Sequence, residues 1–160
     1  MSNDITLSEL QEFIAAYWYA YDEANYDEMA AAKAEDMRFI TRSDSGASPF
    51  EELMSPVLHG RDAVMEWLID HRKDSPYPLR HHTTNLHRTG VDGAVTRARF
   101  YIFVNQVANF VPFAVSSGVT DVAVRRGANG LEFTEMDTVL DTTNSVPLTE
   151  LAADTAASGS

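Results

Sequence analysis

The sequence predicts an α+β fold: a curved antiparallel sheet wrapped around three N-terminal helices to make a cone. Three observations carry this. Helical periodicity is confined to the stretch before Ser75, whereas from Leu79 the chain reads as long strands divided by short turns. A block of helices followed by a block of strands favours segregated layers over alternating βα units. The 160 residues, 44% hydrophobic, suffice for one well-buried core, so one domain over 1–147 is expected, followed by a polar tail, 148–160. A cone encloses space at its open end, which is where a small molecule would sit.

The elements follow in order. Thr6-Leu-Ser-Glu9 has the form of a capping box, and Leu7, Leu10, Ile14, Tyr17 and Tyr21 follow at helical steps, giving a helix from about Leu7 to Asn25. Tyr26 to Ala34 is rich in helix formers and makes a second, shorter helix, after which Met37 to Thr41 turns strand-like. Ser43 to Leu58, with Gly46, Pro49 and Pro56, reads as a long loop. Gly60-Arg-Asp62 opens a third helix with Val64, Trp67 and Leu68 on one side, and Ser75-Pro-Tyr-Pro78 ends it. Strands are then expected at Leu79 to Thr89, Val95 to Val107, Phe110 to Arg126 and Leu131 to Thr142.

Composition narrows the function. Twelve basic residues against 24 acidic ones give a formal charge of -12 with no basic cluster, which disfavours nucleic acid and anionic membranes as partners. The absence of cysteine excludes disulfides, thiolate metal sites and a cysteine nucleophile. The N-terminus lacks the pattern of a signal peptide, and no apolar run approaches the roughly 20 residues that span a bilayer. A soluble, cytoplasmic protein is the expectation.

Three of the five histidines fall inside Leu79 to Arg88, LRHHTTNLHR. On a strand His81 and His82 point to opposite faces, and His81 and His87 lie on the order of 20 Å apart, so they cannot share a metal ion. No metal site and no cofactor is expected. Parity lets only one of His81 and His82 face inward. On the first helix, Phe13, Ile14, Tyr17 and Tyr21 share an arc, Trp18 borders it, and Asp22 lies about 40° beyond. Asp22 is therefore either a solvated acid or a carboxylate drawn into an apolar pocket, where it needs a partner. A carboxylate paired with an imidazole is a compact general base, and no G-x-S-x-G elbow suggests acyl transfer instead.

The run Ala20-Tyr-Asp-Glu-Ala-Asn-Tyr-Asp-Glu-Met29, then His59-Gly-Arg-Asp-Ala63, Arg80-His-His-Thr-Thr-Asn85 and Ser117-Gly118 leading to Asp121 resembles the SnoaL-like branch of the nuclear transport factor 2-like superfamily. The resemblance implies the cystatin-like cone reached above. In motif it is nearest to the scytalone dehydratase and hexachlorocyclohexane dehydrochlorinase families, whose helix aspartate and strand histidine remove a proton during β-elimination. Carried over, it makes His82 the general base, Asp22 its orienting partner and Tyr21 a donor to a substrate oxygen. Thr41 stands where scytalone dehydratase has a tyrosine, and Arg99 approximately where it has a second histidine. An arginine there would hold a carboxylate or an enolate. Tyr17, Trp18, Trp67, Asn85 and Tyr101 complete the expected lining, with Phe100 and Phe103 as further aromatic candidates.

The implied function is a dehydratase-type lyase acting on a hydrophobic oxygenated small molecule. A ketosteroid isomerase-like or polyketide cyclase-like isomerase is an alternative, as is a non-catalytic scaffold resembling the β-subunit of a ring-hydroxylating dioxygenase. An epoxide-hydrating site would ask for two pocket acids around an arginine, with Asp137 or Asp141 supplying one. A homodimer or homotrimer is the expected assembly.

Overall fold

The computed structural model describes residues 4–48 and 51–151. Helix α1 (Leu7–Asp22) begins with the expected capping box. Thr6 Oγ1 accepts from the Glu9 N–H at 3.2 Å, and the Glu9 carboxylate accepts from the Thr6 N–H at 2.9 Å. That N–H, with Arg126 on a distant strand, holds the Glu9 carboxyl down to about 2. Leu10, Ile14, Tyr17, Trp18 and Tyr21 form the buried face. The helix ends three residues before the expected Asn25, because Ala24 enters the left-handed region (φ 56) and the Glu23 and Ala24 N–H groups turn back onto Tyr19 and Tyr21 carbonyls.

Helix α2 (Tyr26–Ala31) is also shorter than its composition suggests. Lys33 and Ala34 are taken into strand β1 (Lys33–Ser43), where Lys33 registers with Phe133 and the Ala32 carbonyl accepts from the Phe133 N–H at 2.9 Å. Sheet pairing here outweighs local helix propensity. The Ser43 to Leu58 segment contains, among its described residues, a 3₁₀ turn at Glu51–Leu53, and the Ser43 hydroxyl bonds the Glu51 carboxylate. The expected loop residues Pro49 and Phe50 lie outside the described residues. Strand β2 (Leu58–His59) leads into helix α3 (Arg61–Asp74), and then come β3 (Leu79–Asp92), β4 (Val95–Ala108), β5 (Val111–Gly127) and β6 (Gly130–Leu140). Leu148 to Leu151 form one helical turn, while 152–160 of the expected tail lie outside the described residues.

The six strands form one curved open sheet in the order β2-β1-β6-β5-β4-β3. It is antiparallel except at one seam. The chain leaves β1 through β2 and α3, runs the meander β3 to β6, and brings β6 back beside β1 in parallel. On β4 the inward residues Thr96, Ala98, Phe100, Ile102 and Val104 are buried, while Arg97, Arg99, Tyr101 and Phe103 face out. The inward set meets Leu10, Ile14, Met29 and Val64 from the helices. Strand β3 keeps strict alternation only to Thr84. Thr84 registers with Tyr101 but His87 with Arg99, an extra residue on β3 absorbed at Asn85, whose φ is 59. This bulge reverses the parity beyond it, so Leu86 faces the core.

Arg72 on α3 fixes the end of α1. It is buried, and its guanidinium donates to the Asp22 carbonyl at 2.7 Å and, beside the Ala24 N–H, to the Tyr21 carbonyl at 3.0 Å, capping the last turn of the helix. Arg72→Met should lower stability in urea unfolding by about 1–3 kcal/mol, since the Asp22 carbonyl would lose its guanidinium donor while the Tyr21 carbonyl keeps the Ala24 N–H. A loss within the error of the midpoint would contradict the cap.

Candidate active site

The C-terminal end of α1 and the start of β3 meet at Asp22 and His81. Asp22 is 4% exposed. Its Oδ2 accepts from the His81 backbone N–H at 2.9 Å, and its Oδ1 lies 2.6 Å from His81 Nδ1. The carboxylate thus holds both the strand and the ring. With Nδ1–H directed at Asp22, the lone pair of a neutral His81 sits on Nε2. The unfavourable place of an acid at a helix C-terminus is offset by these two donors and by Arg72 behind it.

The His81 ring lies flat on Trp18, with centroids 4.5 Å apart and an angle of 11°. Tyr21 meets it edge-on at 5.1 Å and 84°. The Tyr21 hydroxyl is in turn 2.8 Å from Nδ1 of His71 on α3, and His71 lies over Trp67 at 4.8 Å and 20°. Burial lowers the His71 imidazole below its ordinary range, and the neighbouring His81 adds to this. Burial pushes the Tyr21 phenol up. Both are neutral at pH 7.

These groups face a cavity of about 510 Å³, within the range of small-molecule sites. Its wall is largely apolar, with Phe39, Leu68, Ile102, Val104 and Leu140, and Thr41, Gln106, Ser116 and Asp141 add polar points. No lysine or arginine is among the described lining residues. The Trp18 indole Nε1 is buried beside the cavity without a hydrogen-bond partner. Among the described residues no group of three or more His, Asp or Glu is placed to hold a metal ion.

The expected residues divide between two faces. Trp18, Tyr21, Thr41 and Trp67 line the cavity, with Asp22 bonded behind His81. His82 does not: it is exposed on the outer face, with Nε2 2.6 Å from Asn105 Oδ1 and its ring near Phe103. Leu79 anchors the inward parity of β3, so His81 takes the inner position, and a one-residue offset in the transferred motif exchanges the faces. Arg99 is likewise outside, paired with Asp121 through two bonds of 2.9 Å, so it can hold no substrate in the cavity. Tyr101 and Phe103 share that outer face, Phe100 is sealed in the core, and Asn85 sits exposed on the bulge. Tyr17 is core, its hydroxyl accepting from Lys33 Nζ at 3.1 Å. Of the two candidate acids for epoxide hydration, Asp141 lines the cavity and Asp137 pairs with Arg42 instead, and no arginine is among the described lining residues. His71 was not expected; its signal was the spacing Trp67-x-x-x-His71, which sets both rings on one side of α3.

Fold and site together define an α+β cone with a carboxylate–imidazole pair opening into an apolar cavity. The chain belongs to the SnoaL-like domain family, whose pattern matches residues 6–137. No curated protein sequence matches it significantly. Among solved structures it is similar to ActVI-ORFA from Streptomyces coelicolor, with 21% identity, 83% of this chain and 95% of that one covered, and a TM-score of 0.67. It is similar to the β-subunit of the benzoate 1,2-dioxygenase from Burkholderia mallei (17% identity, 88% and 93% covered, TM-score 0.67). An NTF2-like protein with a cystatin-like fold from Novosphingobium aromaticivorans is also similar (18% identity, 83% and 80% covered, TM-score 0.66). Likeness at these identities establishes the fold. No helix among the described residues is long and apolar enough to cross a membrane.

Proposed function

We propose that the protein is a cofactor-independent lyase or isomerase that removes a proton from a neutral, hydrophobic, carbonyl-bearing small molecule, with His81 as general base and Asp22 as its orienting partner. The observation that carries this is the 2.6 Å contact between Asp22 and His81 Nδ1, which leaves Nε2 as the ring's basic atom at the cavity. A carbon acid next to a carbonyl loses its proton to Nε2, and Asp22 balances the imidazolium that forms. The proton then goes to a leaving β-hydroxyl, completing dehydration, or returns to another carbon, completing isomerisation. The lack of a cation on the described wall favours a neutral substrate over a carboxylate or phosphate.

Neutral bicyclic ketones test the reading without knowledge of the natural substrate. In D₂O the protein should accelerate α-proton exchange of 2-tetralone and related β-hydroxy ketones above buffer, measured by NMR, and Asp22→Asn should remove most of the acceleration. No acceleration across such a panel would overturn the reading. The likeness to a dioxygenase β-subunit favours one second reading, a scaffold. That reading would be supported by inertness towards the panel together with stoichiometric co-purification of an iron-containing subunit.

A further inference from the structure

The proposed base leaves one requirement unmet: the carbonyl oxygen gains charge as the α-proton leaves, and a donor must face it. No cation on the described wall offers one, so the donor must come from its neutral groups, which include Thr41, Gln106, Ser116 and His71. We infer that His71 is that donor, a second active-site residue that carries its proton on Nε2 because Tyr21 donates its hydroxyl proton to Nδ1. The inference rests on the reading of His81 and Asp22 as the base.

Geometry carries it. His71 and His81 both line the cavity, each flat on its own indole, Trp67 and Trp18, and Tyr21 stands between them. Their Nδ1 atoms have opposite partners. That of His81 meets a carboxylate, which can only accept, so the ring keeps its proton on Nδ1 and offers a lone pair at Nε2. That of His71 meets a phenol at 2.8 Å, which can donate or accept; the phenol O–H is the more acidic donor and a neutral imidazole nitrogen the better acceptor, and this arrangement puts the ring proton on Nε2. The same side chain is thereby set as a base on β3 and as a donor on α3. The groups that face His71 are Tyr21 from α1, His81 from β3, and Asp74 and Arg72 on its own helix; burial and His81 outweigh Asp74 and keep it neutral.

The proton balance is complete with these groups. The C–H bond breaks as the His81 Nε2–H bond forms, and the electron pair moves into the new C=C bond while the carbonyl π pair moves to oxygen. His71 Nε2–H holds that oxygen by a hydrogen bond and keeps its proton, since passing it on would draw the Tyr21 proton to Nδ1 and leave a buried phenolate. When the enolate re-forms the carbonyl, the β-hydroxyl departs with the proton from His81 as water. Tyr21 and Trp67 are positioning residues for His71, and the substrate class is a neutral ketone or β-hydroxy ketone.

Ring ¹⁵N spectra of the histidine-labelled full chain test the tautomers directly, with His71 signals assigned by their absence in His71→Gln. The expected result is a protonated Nε2 and a bare Nδ1 for His71 at pH 7, a proton on Nδ1 of His81, and a mixture of both forms at His71 in Tyr21→Phe. A proton on Nδ1 of His71 in the wild type would overturn the proposal. In the 2-tetralone assay His71→Leu should slow exchange by about 10²-fold, the typical loss on removing one oxyanion donor. His71→Gln, whose amide offers an N–H in a similar place, should recover part of it. Exchange lost in His81→Gln but unchanged in His71→Leu would overturn the role of His71 and leave the base standing. Exchange absent or indifferent to His81→Gln would overturn the base, and the tautomer of His71 would still be read.

Discussion

His81→Gln is expected to lower 2-tetralone exchange by about 10²- to 10⁴-fold, the usual contribution of a positioned general base. His82→Gln, one residue away, should leave it unchanged. The contrast follows from the pleat. His81 points at Asp22 and the cavity, whereas His82 bonds Asn105 on the outer face. His82 is exposed, and although the His81 side chain is only 11% exposed, Gln of similar size keeps an N–H for Asp22, so circular dichroism should show both variants folded. Gln at 81 retains a donor but no titratable base, so the loss would belong to proton transfer. A loss confined to His82→Gln would place the chemistry on the other side of the sheet, and equal activity of the two variants would likewise sink the assignment of His81.

Fold and site were legible to different depths. The capping box, the aromatic face of α1, the Pro-rich stop after α3 and the long strands are local signals, and each appears where its pattern placed it. The parallel β1–β6 seam carries no local signal. Lys33 and Ala34 have helix-compatible side chains, and only the return of β6 to their side converts them to strand. The site depended on a single parity. Asp22 could be singled out on α1 because an acid at the C-terminal end needs a donor, but its partner was set by which of two adjacent histidines shares a face with Leu79. A motif carried over with an offset of one residue cannot supply that. Asn85 shows the same limit: period-two counting put it with His81, and the bulge at Asn85 itself breaks the count. Arg99 and Tyr101 were misplaced for a related reason, since their face of β4 is fixed by Phe100 and Ile102 turning inward.

Lys33→Met is expected to stabilise the protein at neutral and acid pH and to flatten its stability profile on the alkaline side. The Lys33 side chain is fully buried, its ammonium donates to the Met29 carbonyl at 2.9 Å and the Tyr17 hydroxyl at 3.1 Å, and it lies 4.3 Å from the Tyr17 ring centroid. Both acceptors are neutral, so nothing in direct contact balances the charge, and burial lowers the group from 10.5 to about 7. Between those two values the unfolded chain holds a proton that the folded chain has released. Stability therefore rises with pH across about 7 to 10.5, and below 7 the cost of burying the charge is fully present. A lowering of that size corresponds to a cost of about 5 kcal/mol at acid pH. Methionine fills similar volume without the charge but leaves the two acceptors unpaired, which offsets about 1–3 kcal/mol. A net gain of about 2–4 kcal/mol at pH 6 should result, shrinking to nothing or reversing by pH 10, measured by urea unfolding of both proteins at each pH. Parallel profiles for the two would refute the buried charge. Because Lys33 does not line the cavity that holds His81 and His71, exchange activity should survive the substitution, separating the stability of the core from the chemistry of the site.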